Sequence, residues 1–343
     1  MYRFNSDYLE GAHPNIIQRL IQTNLMQTAG YGLDPICDSA KNKIRTACNA
    51  PDAKVYFMVG GTQTNYTVLD SILKGYEGVL SAETGHVAVH EAGAIEYSGH
   101  KVITIPAPDG KIAYDTAKDY LEKFYADGSW QHMVRPGAIY ISHPSEYGTL
   151  YSKAELVALR ALCDEYGMRL FLDGARLGYG LVSDGSDLTL ADIAQLCDVF
   201  YIGGTKVGAL FGEAVVFTNT NLGEAFFTEI KQHGALLAKG RMLGIQFDEL
   251  FENNLYEKIA KHAVDLAMRI KRELKAKGYE FYNDSYTNQQ FPIIAKAKLD
   301  SIQDKVILDD WGPYDENGER RLVRITTSWA TTEEAVDTLL ELL

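Results

Sequence analysis

Three segments of the sequence place a chemically useful side chain directly after a short β-rich run. In Gly60-Gly61-Thr62-Gln63, such a run gives way to glycines and then to hydroxyl and amide side chains. Asp173 follows a hydrophobic run, and Arg176 comes shortly after it. Lys206 follows another hydrophobic run, after two glycines and a threonine. Because open βα sheets bind ligands at the carboxyl ends of their strands, we expect these side chains to meet at one edge.

Each of these segments suits one part of the same cofactor. A helix that begins at Gly61 offers free backbone N–H groups and a positive dipole end, which suit a phosphate. A carboxylate at Asp173 can keep a pyridine nitrogen protonated. Burial would lower the pKa of Lys206 and leave an amine able to form a Schiff base. Together these residues predict an enzyme that works through pyridoxal 5′-phosphate (PLP), although a helix-capping aspartate and a solvated lysine would have the same spacing.

His86 is a further candidate, since an imidazole can stack on a pyridine ring and relay protons. His90 and Glu91 lie close to it in the sequence, but their order matches neither HExxH nor HxxEH, and no second ligand cluster follows. We therefore expect no metal site. Arg176 carries a planar, forked guanidinium, which suits a substrate carboxylate.

The charge balance excludes two broad classes of function. The 343 residues include 33 basic and 46 acidic side chains, a formal net charge of -13. Such a chain repels phosphate backbones and anionic lipids, so neither nucleic-acid nor membrane-surface binding is expected. The four cysteines are scattered, the start has no apolar leader, and no apolar run reaches the ~20 residues of a membrane span. These features predict a cytoplasmic protein.

Short β-rich runs alternate with helical patterns as far as Gly240. The predicted strands are Lys54–Val59, Lys101–Pro106, Ala138–Ser142, Arg169–Leu172, Val199–Ile202 and Ala214–Thr218. The predicted helices are Thr62–Leu73, Ser152–Tyr166 and Leu190–Cys197. This alternation predicts an α/β fold, with a mostly parallel sheet between two layers of helices.

The pattern changes after Gly240. A long charged helix is predicted over Leu255–Lys277, a strand over Arg321–Thr327, and a last helix from Glu333 with Thr331 or Thr332 as its cap. We therefore predict two tightly joined domains, a large cofactor-binding domain over residues 1–240 and a small α+β domain over residues 241–343.

These motifs together resemble the low-specificity L-threonine aldolases of the β-eliminating lyase group, which are fold-type I PLP enzymes. The resemblance begins at Phe4-Asn-Ser-Asp7 and ends at Arg324–Trp329, so it covers nearly the whole chain. The matching positions between them are Gly61-Thr62-Gln63 with Asn65, His86 with Glu91-Ala92-Gly93, Asp173–Arg176, and Lys206. The family implies a seven-stranded type of sheet, a small amino acid as substrate, and a homodimer or homotetramer with active sites at the subunit interface.

The resemblance also implies roles for single residues. Lys206 would carry PLP, Asp173 would pair with the pyridine nitrogen, and His86 would stack on the ring. The phosphate would lie against Gly61, Thr62 and Gln63, with Arg241 reaching the phosphate of a neighbouring subunit. The substrate carboxylate would be bound by Ser6, Arg176 and Arg324.

One segment departs from the family pattern. Well-known members carry Glu-Asn-Thr-His-Asn after the corresponding strand, and the histidine there faces the substrate hydroxyl. Here the segment is Ser142-His-Pro-Ser-Glu-Tyr-Gly-Thr149, with Ser145 in place of the histidine. It is similar to a divergent subgroup that includes phenylserine-aldolase-like enzymes. The general base stays open between His86, His143, Glu146 and a water near the phosphate.

The expected reaction is retro-aldol cleavage of L-threonine, L-allo-threonine or a related β-hydroxy-α-amino acid to glycine and an aldehyde. Another fold-type I PLP lyase or an aminotransferase is the alternative, because the bond that breaks depends on substrate torsion rather than on a motif. A cysteine desulfurase is disfavoured, since Thr205 rather than histidine precedes Lys206. A non-catalytic PLP-binding regulator would be expected to carry a basic patch or a DNA-binding domain, and neither is evident.

Overall fold

The computed structural model describes all 343 residues. The strands are β1 (Tyr2–Arg3), β2 (Lys54–Met58), β3 (Glu77–Ala82), β4 (Val102–Ile105), β5 (Arg135–Ser142), β6 (Arg169–Asp173), β7 (Val199–Gly203), β8 (Glu213–Phe217), β9 (Gln289–Gln290), β10 (Ile293–Ala295), β11 (Val306–Ile307), β12 (Asp309–Pro313) and β13 (Arg320–Thr326). The helices are α1 (Pro14–Thr23), α2 (Pro35–Ala47), α3 (Gly61–Ile72), α4 (His86–Val89), α5 (Ala94–Tyr97), α6 (Tyr114–Ala126), α7 (Lys153–Tyr166), α8 (Leu177–Leu181), α9 (Leu190–Leu196), α10 (Phe226–Gln232), α11 (Arg241–Leu250), α12 (Leu255–Ala276), α13 (Lys296–Ile302) and α14 (Glu333–Leu342), with a short 3-10 helix at Trp130–His132.

The central sheet has seven strands in the order β2-β8-β7-β6-β5-β3-β4. The pairs from β4 to β7 are parallel, and only β8 runs antiparallel to its neighbours β7 and β2. Leu170 and Leu172 pack into the core on one face of the sheet, whereas Phe171 packs into the core on the other. This period of two shows a sheet buried on both faces by helices. The predicted α/β fold with a mostly parallel sheet is therefore confirmed.

All six strands predicted for this sheet are present, but a seventh, β3, was not predicted. Its sequence, Glu-Gly-Val-Leu-Ser-Ala, contains residues that favour strands weakly, so composition gave little signal. Gly78 has a packing role, since a Cβ there would lie 2.6 Å from the backbone oxygen of Lys101. The strand lies between β5 and β4, where tertiary pairing stabilises it.

The C-terminal part forms a smaller sheet in which β13 pairs with β10, β12 and β9. Its core includes Val323, Ile325 and Leu339 from this part of the chain, and also Phe4 from the N-terminal segment. The β1 strand pairs with β11, which joins that segment to the C-terminal part. Helix α14 begins at Glu333 with Thr332, one of the two predicted caps, accepting a hydrogen bond from the Ala335 N–H. The division at residue 240 stays a prediction.

Four strand ends meet at one edge of the central sheet. Strands β2, β5, β6 and β7 run in the same direction, and β8 begins there because it is antiparallel. Glu213, the first residue of β8, pairs with Met58 at the end of β2 and with Gly203 at the end of β7. The segments that carry the predicted site residues therefore leave the sheet side by side.

Candidate active site

A cavity of about 320 Å³ lies at this edge of the sheet. Most of the residues singled out from the sequence line it together, namely Gly61, Thr62, His86, Glu146, Asp173, Arg176 and Lys206. Tyr8, Ser142, Tyr201, Thr205 and Glu213 also contribute to its wall. Residues distant in sequence thus converge on one concave, chemically varied surface, as expected of an active site.

Asp173, the last residue of β6, is buried and accepts four hydrogen bonds. The donors are the hydroxyls of Tyr140 and Tyr201, the amide of Asn65, and the backbone N–H of Ala175. Burial alone raises the pKa of a carboxyl, but the nearby His86 and these donors outweigh it and lower the pKa of Asp173. The site therefore keeps a buried negative charge.

Lys206 leaves the end of β7 through Gly203-Gly204-Thr205. Burial and the neighbouring Arg176 guanidinium lower its pKa, although Asp7 and other nearby carboxylates oppose the shift. Its Nζ lies 5.9 Å from the centre of the Tyr8 ring. A lysine with a lowered pKa has a larger fraction of the neutral amine, which is the nucleophilic form, than an exposed lysine has at the same pH.

Helix α3 begins at Gly61 with Gly60 as its cap, and no side chain bonds to the first N–H groups. Gly61 and Thr62 line the cavity, so these donors are available to an anion. Gln63 is not among the residues that line the cavity. Its Oε1 accepts a hydrogen bond from the Val59 N–H at 3.1 Å, so its amide holds the end of β2 to the start of the helix.

His86 begins the short helix α4, and about a third (35%) of its side chain is exposed. Its Nδ1 lies 2.7 Å from Oε1 of the buried Glu91. Glu146 bonds to the backbone of the same histidine: its Oε1 accepts from the His86 N–H at 2.9 Å and from the Ser142 hydroxyl at 2.7 Å. Burial raises the pKa of Glu146, and its Oε2 is buried with no partner.

His143 and Ser145 do not line the cavity. His143 is fully buried, its Nδ1 accepts from the Tyr151 N–H at 3.3 Å, and burial lowers its pKa to about 4. The Ser145 hydroxyl bonds to Thr149 Oγ1 at 2.5 Å. Both side chains therefore bond within their own loop rather than facing the cavity.

Arg176 is already engaged by a carboxylate that the sequence reasoning did not assign. Its Nε and Nη2 donate to the two oxygens of Asp7 at 2.7 and 3.0 Å. Asp7 is fully buried and also accepts from Asn288 at 3.0 Å. Burial opposes ionisation of Asp7, but Arg176 and Lys206 outweigh it and lower its pKa to about 2. The sequence offered one local indication of this carboxylate, because Asp7 directly follows Ser6, which was predicted to bind the substrate.

Arg324 and Ser6 lie outside the residues that line the cavity. The Nη2 of Arg324 lies 2.7 Å from Asp309, and its guanidinium carbon lies 5.2 Å from the centre of the Trp311 ring. Two polar atoms in this set are buried without a partner, Nε of Arg324 and Oγ of Ser6. Buried polar atoms of this kind are rare, because each costs about 1–3 kcal/mol.

Arg241, at the start of α11, is also outside the cavity. Its guanidinium donates to the backbone oxygens of Met26 and Asn24. Leu25, between these two residues, has 92% of its surface exposed.

Glu213 was not identified from the sequence. An acidic residue at the first position of an otherwise apolar strand could have indicated that it belongs to the site. It is buried, and its carboxylate accepts from the Thr205 hydroxyl at 2.8 Å and the Gly204 N–H at 3.2 Å. Burial raises its pKa, and the nearby Lys206 and these two donors oppose that shift. It therefore braces the segment that leads into Lys206.

The β-eliminating lyase family matches residues 4–297 of the chain. A low-specificity L-threonine aldolase of Pseudomonas sp. is 29% identical over 337 residues, which cover 97% of this chain and 94% of that protein. None of the helices combines the length and apolar composition that a membrane crossing requires.

Solved structures give the same family and the fold. A threonine aldolase of Leishmania major is 41% identical, with a TM-score of 0.96 and coverage of 99% of this chain and 98% of that one. A single mutant of Thermus thermophilus aspartate aminotransferase shares the fold, with 16% identity, a TM-score of 0.68 and coverage of 100% and 90%. The fold is that of fold-type I PLP enzymes, as predicted. Matched from residue 4 to residue 297 and supported by a relative 41% identical along nearly its full length, the chain belongs to the β-eliminating lyase family.

Proposed function

We propose that this protein uses PLP to cleave L-threonine, L-allo-threonine or a related β-hydroxy-α-amino acid to glycine and an aldehyde. One observation carries the proposal: a lysine of lowered pKa, an ionised buried aspartate and a free helix start line the same cavity. The printed names of the relatives from Pseudomonas and Leishmania support the reaction type. The aminotransferase alternative rests on fold alone, since that neighbour is 16% identical.

The donor set fits PLP. The first N–H groups of α3, at Gly61 and Thr62, suit its phosphate, and the ionised Asp173 suits a protonated pyridine nitrogen. Lys206 would hold the aldehyde carbon. The volume of about 320 Å³ falls in the range of about 300–1,000 Å³ that is usual for such sites. When bound, PLP supplies a protonated ring that accepts the electron pair left on Cα.

Arg324 and Ser6 are proposed to bind the substrate carboxylate. Their unpartnered atoms, Nε and Oγ, are buried, and a bound carboxylate would satisfy both. Arg176 keeps two of its nitrogens on Asp7 and has Nη1 left for the substrate or the cofactor. Held in this way, the amino acid would have its orientation about Cα fixed by Arg324 and Ser6, and that orientation would determine which Cα bond is cleaved.

His86 is proposed to take the proton of the β-hydroxyl. Its ring is the most exposed of the three side-chain candidates, lines the cavity and has no protein partner on Nε2. The Glu146 carboxylate instead holds Ser142 and the His86 backbone, and its free oxygen is buried. His143 lies outside the cavity wall and has a pKa lowered by burial. A positioned base of this kind contributes roughly 10²–10⁴-fold to the rate.

A homodimer or homotetramer is part of the proposal. Leu25 and Met26 are exposed beside the carbonyl groups that hold Arg241, and so are Tyr31 and Leu33, which flank Gly32 where it packs against Gly240. Such an exposed apolar surface favours contact with a second copy of the chain. In such an assembly Arg241 would contact the phosphate in the partner subunit.

The test is a product assay with purified protein and PLP. L-Threonine, L-allo-threonine and L-threo-phenylserine are supplied separately, and glycine, aldehyde and 2-oxo acid are measured. We expect equal amounts of glycine and aldehyde from at least one substrate. An absorbance band of lysine-bound cofactor without any glycine would refute the aldolase reaction while leaving PLP binding intact. A 2-oxo acid formed together with ammonia would favour a β-eliminating lyase, and one formed only after an amino acceptor is added would favour the aminotransferase.

A further inference from the structure

A closed ring of hydrogen bonds lies against the cavity and connects the groups just described. Its members, in order, are His86, Glu91, Asn65, Asp173, Tyr140, Ser142 and Glu146, which returns to the His86 backbone. Most of these contacts measure 2.5–2.9 Å, and only the Ser142–Tyr140 contact is longer, at 3.4 Å. The contact between two members of this ring, Glu91 and Asn65, has not yet been given a role.

The orientation of the Asn65 amide is fixed by chemistry. Its Nδ2 lies 2.7 Å from Glu91 Oε1 and 2.9 Å from Asp173 Oδ2. An amide nitrogen carries two hydrogens, one for each carboxylate, whereas a flipped amide would press its oxygen against both. Asn65 is fully buried, so no water can relieve that repulsion. Asn65 therefore donates to Glu91.

This orientation determines the hydrogen on His86. Glu91 Oε1 accepts from Asn65 and lies 2.7 Å from His86 Nδ1. Because Oε1 serves as an acceptor, the close contact requires the hydrogen to be on Nδ1. When the imidazole is neutral it carries a single N–H, so Nε2 of this cavity-lining histidine is then a bare acceptor.

We propose that Glu91, held by Asn65, is a positioning residue that fixes His86 in the Nδ1–H tautomer and so presents Nε2 as the proton acceptor of the reaction. The inference rests on the proposed function, in which His86 takes the β-hydroxyl proton. As Cα–Cβ breaks, the O–H bond also breaks, its proton passes to Nε2, and the oxygen forms the aldehyde C=O. The electron pair of Cα–Cβ stays with Cα, which gains one proton to become glycine, so atoms and charge balance.

The test compares two substitutions at one position. In Glu91→Gln, the amide oxygen can still accept from both Asn65 and His86, so the Nδ1–H tautomer is expected to persist. In Glu91→Leu no acceptor remains, and the Nε2–H tautomer is expected to become the major form. The tautomers are read from the ¹⁵N shifts of His86 in cofactor-free protein, with His86→Gln used to assign the signals.

Asp70→Asn is the matched control, because Asp70 lies beside two other histidines, His100 and His233, at 3.3 and 2.8 Å. It is expected to change their signals and leave those of His86 unchanged. In the loaded enzyme, Glu91→Leu is expected to lower kcat at least about tenfold with little change in KM, since a positioned base contributes roughly 10²–10⁴-fold. Glu91→Gln should retain more of the activity.

Several outcomes would overturn the inference. A wild-type His86 with its hydrogen on Nε2 refutes it without any variant, so it stays testable even if Glu91→Leu fails to fold. A Glu91→Leu protein that keeps Nδ1–H, or one that changes tautomer with kcat unchanged, also refutes it. Because the tautomer is measured without cofactor or substrate, a wild type that produces no glycine would refute the proposed function and leave the tautomer result standing.

Discussion

Removing the charge of Asp7 should destabilise the protein much more than removing an exposed carboxylate does. Asp7 is fully buried against Arg176, and its pKa falls from 3.8 to about 2. Each pKa unit corresponds to about 1.36 kcal/mol, so the ionised form is favoured by roughly 2.5 kcal/mol. Asp7→Asn additionally leaves the Arg176 guanidinium buried without a counter-charge, and breaking a buried pair in this way costs about 3–5 kcal/mol.

The assay is urea denaturation of cofactor-free protein at pH 7. Asp119→Asn is the matched control, because Asp119 pairs with Lys123 at 2.7 Å but both side chains are more than half exposed. Exposed pairs contribute about 0–1 kcal/mol, so Asp119→Asn should have little effect. Equal free energies of unfolding for the two variants would refute the reasoning.

The pH dependence of the same measurement follows from the sign of the pKa shift. A carboxyl whose pKa is lower in the folded state stabilises the protein fully at any pH above the pKa that the carboxyl has in the unfolded chain, near 3.9. That contribution is lost as the pH falls from about 4 through about 2. The wild type should therefore lose more stability across this window than Asp7→Asn does, and parallel curves would contradict the assignment of the charge to Asp7.

Three further predictions concern the site. Asp173→Asn should lower kcat by about 100-fold or more, because it removes a charge preorganised for the reaction; activity near wild type would contradict its role. Arg324→Gln should raise KM about 10–100-fold by removing a charge-assisted hydrogen bond worth about 1.5–3 kcal/mol, whereas Arg321→Gln, which disrupts a neighbouring pair with Asp310, should not. His143→Ala should destabilise the fold by about 2–4 kcal/mol with only a small change in kcat; a folded variant with no activity would make His143 the base in place of His86.

The sequence alone predicted the positions of those helices and strands that a pattern of neighbouring residues specifies. The helices predicted at Ser152–Tyr166 and Leu255–Lys277 agree with α7 and α12 to within a residue at each end, because apolar spacing marks both helices and the Ser152 capping box marks the start of α7. Strand β3 was missed, since Gly78 and Ser81 weaken its local preference and its pairing with β4 and β5 stabilises it instead. Such long-range pairing leaves no local pattern.

The residues of the site also differ in whether a local sequence pattern could reveal them. It was predictable that Asp173 and Lys206 would lie together, because ligands bind where strands end, whereas the Asp7–Arg176 pair joins residues 169 positions apart. Spacing could align Ser145 with the family histidine but could not show that its hydroxyl bonds to Thr149. Side-chain direction within a loop is set by the whole fold, so it could not be read from residue order.

The central claim is that Lys206 carries PLP in an enzyme that forms glycine. The most direct test reduces the PLP-loaded protein with borohydride, digests it, and identifies the modified lysine by mass spectrometry, after the same preparation has been shown to release glycine. We predict a single pyridoxyl adduct on the peptide that contains Lys206. An adduct on another lysine, or an active preparation with no adduct at all, would contradict the account.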